Sequence, residues 1–507
     1  MNMELVDRSL TDETRAVFED RIREQAARLR DEYRAGELES PSFAIGIELE
    51  LYAIDDAYRV TQIPSSVFGP YCDKELGKHN AEIQTTPDRL DDVGLRRQLA
   101  GLETRFGKLD RAARDAGIRI VPDAMWSVPA SPDTMTYLTT TTTIDGVEIP
   151  TNMTPSERYF AIDRDIVART GGHVTIDVPG ATVAVPTILV ESLTSSIQPH
   201  LQIPRTAEFA RYHNLAVRTL GPVLALATNS PLLPIDLYED IDPLALIEQT
   251  HHELRIAVFE QSINDAWEKV RFPIDIEDPE ATIDELLTDP TCAPFLREWI
   301  DGDGPRESFS ERYWELDHKR GTYWRWLRAV IGGQPVGEGD EWSIRLEYRP
   351  IPTQPTIRDN VGILALVAGL LRGLHDADHP LTELPWETAR SNFYTAVTEG
   401  LDGEQTWITE TGAETTDQTV MYDEIHTLAT RGLAREGVEP ATITRLLDPI
   451  MARWDQRMTP SIWKLEAIRR SLAAGDSFQV AVDRMQIAYL DHCDTDRPFA
   501  QWPAPEH

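Results

Sequence analysis

The chain of 507 residues carries 49 Lys+Arg against 85 Asp+Glu, a formal net charge of -36. Phosphate binding needs clustered positive charge, and no basic stripe occurs, so this balance argues against a nucleic-acid or anionic-membrane partner. An apolar content of 41% and periodic segments throughout exclude a disordered acidic chain.

Only six of the basic residues are lysine, namely Lys74, Lys78, Lys108, Lys269, Lys319 and Lys464. Together with the excess of acid, this reads as adaptation to high salt. Cys72, Cys292 and Cys493 lie far apart and form no CxxC pair, which gives neither a zinc motif nor a disulfide framework and fits a reducing cytoplasm. The start, MNMELVDRSLTDETR, lacks the apolar run of a signal peptide. The longest apolar stretch, VGILALVAGLL at 361–371, is about half of the ~20 residues a membrane span needs, so it is expected to be a buried helix.

Residues 11–37 predict a helix, with Thr11 as N-cap and Asp12 and Glu13 in the first turn. Strands are expected over 43–54 and from His79 to Thr85, then a helix near 90–116 and a strand at IRIVPD. In YLTTTTTIDGVEIPT, 137–151, β-branched runs flank Asp145-Gly146, which predicts a hairpin. Alternating stretches follow at 171–180 and 195–204, then a helix that ends before Asn229-Ser230-Pro231. Residues 270–340 are turn-rich and acidic. The strand WSIRLEYRP, 342–350, leads into the apolar helix at 359–374, and from about 380 the pattern is helical.

This divides the chain into an N-terminal helix over 1–40, a catalytic unit over 41–378, a helical region over 379–490 and a loose tail over 491–507. Cleanly alternating strands predict an α+β fold whose antiparallel sheet packs one face on helices and leaves the other polar.

The polar faces concentrate chemistry. In GIELELYAIDD, Ile45, Ile47, Leu49 and Leu51 share one face, with Gly46, Glu48, Glu50 and Tyr52 opposite. HNAEIQTTP sets Glu82 and Gln84 on its polar side, SSIQPHLQIP sets Gln198, His200 and Gln202, and WSIRLEYRP sets Arg345, Glu347 and Arg349. Carboxylates with one imidazole are hard donors suited to Mg2+ or Mn2+, and neighbouring arginines suit a phosphate or a substrate carboxylate. Four such faces point to metal-assisted chemistry on phosphates.

These stretches resemble the glutamate-cysteine ligases and the related carboxylate-amine ligases. GIELELYAID is similar to their Gly-x-Glu-x-Glu strand, AEIQTTP to the strand whose Glu precedes Thr-Pro, and SSIQPHLQI to the histidine-bearing strand. ALATNSPLL resembles the ALSANSP turn, and RLEYRPIPTQP the LEVRxxDxQP strand. The likeness spans roughly residues 43–375 in the family's order, with helical similarity after Asn392.

The resemblance implies a sheet curved into a funnel, with metals between ATP and the substrate carboxylate. Carried over by position, it implies Glu48, Glu50, Glu75, Glu82, His200 and Glu347 as metal ligands, and Arg349 as the arginine on the transferred phosphoryl group or substrate carboxylate. Gln198, Gln202, Arg345 and Arg328 are the candidates for binding substrate or nucleotide. The expected reaction joins the γ-carboxylate of glutamate to an amine, cysteine foremost, at the expense of ATP. Pro352 stands where the family pattern usually has Asp, and 130–170 and 270–340 look expanded, which leaves the amine open.

Other signals read as structural. His251-His252-Glu253 is not HExxH and is expected to flank a helix, GGQPVGEG lacks the ending of a phosphate-binding loop, and His173 and Asp177 share a strand face without partners. HKRGTYWRWLR, 318–328, could face the nucleotide through Arg325 or Arg328, or be an ordinary helix surface over core tryptophans. The competing functions are a catalytically silent relative that binds an amino acid or nucleotide, and a metal-dependent hydrolase.

Overall fold

The computed structural model describes residues 2–264, 267–299, 308–332, 336, 342–495 and 497–505. One antiparallel sheet comprises β1 (Ala44–Ile54), β2 (Asp73–Lys74), β3 (Asn80–Gln84), β4 (Asp88–Arg89), β5 (Arg119–Val121), β6 (Ile197–Ile203), β7 (Leu327–Ile331) and β8 (Ile344–Tyr348). Its order is β7-β8-β6-β1-β3-β2, with β4 and β5 paired to the two ends of β1. The four strands with polar faces are therefore neighbours, β8-β6-β1-β3.

Alternation along β1 does what the sequence predicts. Ile45, Ile47, Leu49 and Leu51 are buried, whereas Glu48 and Glu50 keep partial exposure on the other face. Helix Ile357–Asp376 lies against β1 and β6 and contains the apolar run 361–371, buried all round. It meets helix Gln418–Arg435 through glycines: a Cβ on Gly373 would stand 2.0 Å from the Leu428 carbonyl oxygen, and one on Gly432 2.0 Å from that of Gly369. Only glycine permits so close an approach of two helical backbones.

Helix Asp12–Arg34 begins at Thr11, whose hydroxyl accepts from the Thr14 N–H. Phe18, Ile22, Ala26 and Leu29 recur at helical spacing and form a second apolar core with Ile283, Leu296, Phe309, Tyr313 and Leu316. The turn-rich stretch 270–340 is thus more ordered than its composition suggests. It contributes helices Glu280–Thr288 and Trp314–Arg320 and the edge strand β7, which sequence reading did not find.

Other expectations are corrected in part. A short helix, Thr134–Thr139, precedes the hairpin Thr141–Ile144/Val147–Pro150, whose turn places Asp145 and Gly146 at φ 49° and 82°. The strand Val174–Val178 pairs with Ala181–Val185 as a separate hairpin outside the main sheet, carrying His173 and Asp177 with it. The stretch 497–505, expected to be loose, folds back: Phe499 is buried and its N–H donates to Asp359. Glu253 stands at the start of helix Leu254–Ile263, as the sequence predicts for its flank, and its side chain accepts the Asn229 N–H at 2.9 Å. Most of GGQPVGEG lies outside the described residues.

Buried ion pairs tie the C-terminal helices to the part of the chain that carries the main sheet. Lys464 pairs with Asp123, both fully buried, and reaches the Asn229 carbonyl oxygen at 2.8 Å. Arg453 pairs with Asp359 at 3.0 Å and donates to Gln354 Oε1 at 2.6 Å. Removing one partner of such a pair strands the other charge in a medium that cannot solvate it. Lys464→Met is therefore expected to lower unfolding free energy by about 3–5 kcal/mol. Denaturant titration checks this, and a loss below about 1 kcal/mol contradicts it.

Candidate active site

Register places the polar side chains. Glu48 of β1 faces Gln198 of β6 and Gln84 of β3, Glu50 faces Glu82, and His200 faces both Gly46 and Glu347. On the sheet's far side, Arg328 of β7 faces Glu347. Glu48, His200 and Glu347 each offer a ligand atom within 4.8 Å of the others. His200 Nε2 lies 3.3 Å from Glu48 Oε1 and is buried without a hydrogen-bond partner. A buried imidazole nitrogen set close to two carboxylates and making no hydrogen bond of its own fits a site for a divalent cation such as Mg2+ or Mn2+.

The remaining predicted residues surround this trio. Glu347 accepts from Arg328 Nε at 2.7 Å and from Arg349, which also donates to Gln198 Oε1 at 2.7 Å. Gln198 Nε2 donates to Glu50 Oε1 at 3.1 Å, and Glu50 Oε2 accepts the Ser196 N–H at 2.7 Å. Arg345 Nε donates to His200 Nδ1 at 3.2 Å and its Nη1 to the Gly332 carbonyl oxygen at 2.7 Å. Gln202 donates to the Ser42 carbonyl oxygen at 3.1 Å. Glu75 and Glu82 are not members of the trio but lie near enough to feel the charges of Glu48 and Glu50. Arg325, by contrast, is engaged with Asp289 and the Lys269 carbonyl oxygen.

A cleft of about 210 Å3 opens at one end of this face, lined by Gly46, Glu48, Thr85, His200, Gln202 and Arg345. At the other end lie Glu50, Arg349 and two residues that sequence reading missed. Glu191 lies beside Glu50. Arg255, buried, donates to the carbonyl oxygens of Arg349 at 3.2 Å and Pro350 at 2.5 Å, and so fixes the backbone that carries Arg349. Both had a weak signal, a lone charge in the apolar runs ILVESL and LRIAVF. The ATNSP turn has a matching role, since Asn229 donates to the Thr353 carbonyl oxygen at 2.7 Å.

Electrostatics split the carboxylates into two groups. Burial works to raise Glu347, but Arg328 and Arg349 outweigh it and hold the group well below the usual range. Glu48 is likewise held low against burial, chiefly by His200. Burial, reinforced by Glu50, pushes Glu75 and Glu191 each up to about 8, and burial with Glu48 and Glu75 pushes Glu82 well up. Glu50 is raised by burial despite its Ser196 hydrogen bond. The face thus carries more carboxylate than its own arginines neutralise, which is the electrostatic condition of a cation site.

A pH dependence follows. Acids with a raised folded-state pKa bind more protons folded than unfolded, so stability declines as pH rises through the window between the two values. For Glu75 and Glu191 that window runs from 4.5 to about 8. The chelator-treated protein is expected to lose melting temperature from pH 5 to pH 8, and saturating Mg2+ to flatten the slope. Calorimetry with and without Mg2+ tests this, and parallel slopes contradict it.

The curled antiparallel sheet gathers carboxylates, an imidazole and guanidinium groups on one face, an arrangement suited to a cation and an anionic substrate. The chain belongs to the glutamate-cysteine ligase family 2 (GCS2), whose profile matches residues 44–442. Among solved structures it is similar to the glutamate–cysteine ligase of Francisella tularensis in complex with AMP, with TM-score 0.53 and 12% identity over 92% of this chain and 91% of that one. A bifunctional glutathione synthetase from Pasteurella multocida gives TM-score 0.50 and 14% identity over 89% of this chain and 52% of that one. At these identities the likeness is one of fold. No curated protein matches the chain in sequence. Among the described residues, no helix is long and apolar enough to cross a membrane.

Proposed function

We propose that the protein joins the γ-carboxylate of glutamate to an amine, cysteine foremost, in an ATP-dependent reaction through an acyl phosphate. The observation that carries this reading is the Glu48–His200–Glu347 trio, beside a cleft lined by Arg345 and Gln202 and with Arg349 held on Glu347. Mg2+ or Mn2+, held by Glu48, His200 and Glu347 with Glu50, Glu75 and Glu82 close by, would neutralise phosphate charge. We assign the nucleotide to the cleft side, where Arg345 and Gln202 line the open space; the Francisella tularensis ligase, solved in complex with AMP, supports nucleotide use but not its place.

The chain's own groups position the reactants. Arg349, anchored on Glu347 and Gln198, presents a guanidinium where the acid's carboxylate attacks the γ-phosphorus. Arg328 holds Glu347 ionised, and Arg255 holds the end of β8 in place. Attack forms the acyl phosphate and releases ADP. The amine then displaces phosphate and sheds its proton. Phosphoryl transfer of this kind depends on positioning and charge neutralisation, which these residues supply.

The decisive test is incubation with ATP, Mg2+, glutamate and a panel of amines in molar KCl, with products identified by mass. A new amide with stoichiometric ADP supports the reading, and turnover without nucleotide identifies a hydrolase instead. No adduct with any amine supports a silent relative. Pro352 and the segments 130–170 and 270–340 favour including amines other than cysteine in the panel.

Salt belongs to the same proposal. Self-repulsion at net charge -36 reaches ~30 Å at 0.01 M salt and is screened to ~3 Å at 1 M. Melting temperature and rate should both climb with KCl, and equal stability in dilute and molar salt contradicts salt adaptation.

A further inference from the structure

Beyond β8 the regular ladder ends, and Pro350 and Pro352 carry no N–H to prolong it. Side chains hold this backbone instead. The carbonyl oxygens of Arg349 and Pro350 accept from Arg255, and that of Thr353 accepts from Asn229 Nδ2 at 2.7 Å. Thr353 is also the joint to the neighbouring strands. Its Oγ1 donates to the Glu50 carbonyl oxygen at 2.9 Å, and its N–H to that of Ser195 at 3.1 Å. The place of Thr353-Gln354 therefore bears on both the strand end that carries Arg349 and the backbone of Glu50.

Two C-terminal helices grip this joint. Arg453, of helix Pro440–Asp455, donates to Gln354 Oε1 at 2.6 Å, and Gln354 Nε2 passes the hold to the Pro352 carbonyl oxygen at 2.8 Å. Tyr489, of helix Phe478–Cys493, accepts at 3.0 Å from the same Asn229 amide that holds Thr353, and its hydroxyl donates to the Pro122 carbonyl oxygen at 3.1 Å. Asn229, Thr353, Gln354, Arg453 and Tyr489 are all fully buried. Apolar contact is enough to attach a helix, and Ile450 and Val482 supply it on these same two helices. A buried guanidinium and hydroxyl cost desolvation, and what they add is direction: each fixes one acceptor or donor in one place.

We propose that the C-terminal helical region is part of the working site, with Arg453 and Tyr489 as positioning residues that act through Thr353-Gln354 on Arg349. This rests on the ligase reading above and extends it to helices that contribute no group to the polar face. Tyr489→Phe tests it, because the ring still fills its place and Asn229 keeps its bond to Thr353. For ATP-dependent amide formation, kcat should fall about five- to tenfold, the size of one hydrogen bond, with Michaelis constants nearly unchanged. In an Arg349→Lys background the same change should cost less than about twofold, since the group being positioned is already gone. Full multiplication of the two losses means that Tyr489 serves the fold at large, and overturns the inference. Arg453→Lys keeps a charge for Asp359 but lacks the fork that also reaches Gln354, and should repeat the pattern.

A second measurement needs no turnover. Hydrogen exchange followed by mass should be faster in Tyr489→Phe over residues 349–354, with helix Gln418–Arg435 at the parental rate. Parental exchange over 349–354 overturns the inference even where kcat falls. A parent that forms no amide overturns the ligase reading instead, and exchange still decides whether the helices hold the segment.

Discussion

Glu50→Gln is expected to lower the rate of ATP-dependent amide formation on the order of 10^3-fold, the scale seen when a preorganised charge at a reacting centre is lost. The metal-free fold should survive the change. Burial pushes the Glu50 carboxyl up, so the ionised group already strains the folded state near neutral pH, and a neutral isostere relieves that strain. Glutamine can still accept the Ser196 N–H, which Glu50 takes at 2.7 Å. Its NH2 group then faces Gln198, whose amide must turn, and the Gln198 Oε1 that accepts Arg349 at 2.7 Å is withdrawn.

One substitution thus removes a charge from the cation site and loosens the arginine. The accompanying measurement is thermal: Mg2+ should raise the parent's melting temperature through binding to the folded form and leave the variant's nearly still. Parental turnover in Glu50→Gln would remove Glu50 from the site.

Arg349→Lys should cost about 10^2- to 10^3-fold in kcat with the fold intact. A planar guanidinium can hold Glu347 and Gln198 and still offer a donor to a phosphoryl or carboxylate oxygen, whereas an ammonium on a flexible stem offers a single point of charge. On the proposed role of Arg349 against charge that develops as the phosphoryl group moves, kcat should fall more than the Michaelis constants rise. If the Michaelis constant for the acid climbs with kcat nearly unchanged, Arg349 anchors substrate only. Near-parental kinetics would detach β8 from the chemistry.

Side-chain alternation along a strand is local, so the sequence by itself determined which faces are polar and which residues stand on them. Glu48 with Glu50, His200 with Gln198 and Gln202, and Glu347 with Arg345 and Arg349 all follow from a period of two. The apolar run 361–371, too short to cross a membrane, likewise announced a buried helix without reference to its neighbours.

Which strands adjoin is a different matter, because pairing joins residues more than 100 positions apart and nothing in local spacing encodes it. Only the tertiary structure put β8, β6, β1 and β3 side by side and so brought Glu48, His200 and Glu347 within reach of one another. It also turned the short stretch LRAVI into the edge strand that carries Arg328 to Glu347, although its surroundings read as turns. Charge state was equally beyond the sequence. Glu75, Glu191 and Glu347 are the same residue type, yet burial among acids drives the first two up while two arginines hold the third down. The physical reason is common to both points: a side chain's face is set by its own backbone, whereas its partners and its dielectric surroundings are set by segments far away in the chain.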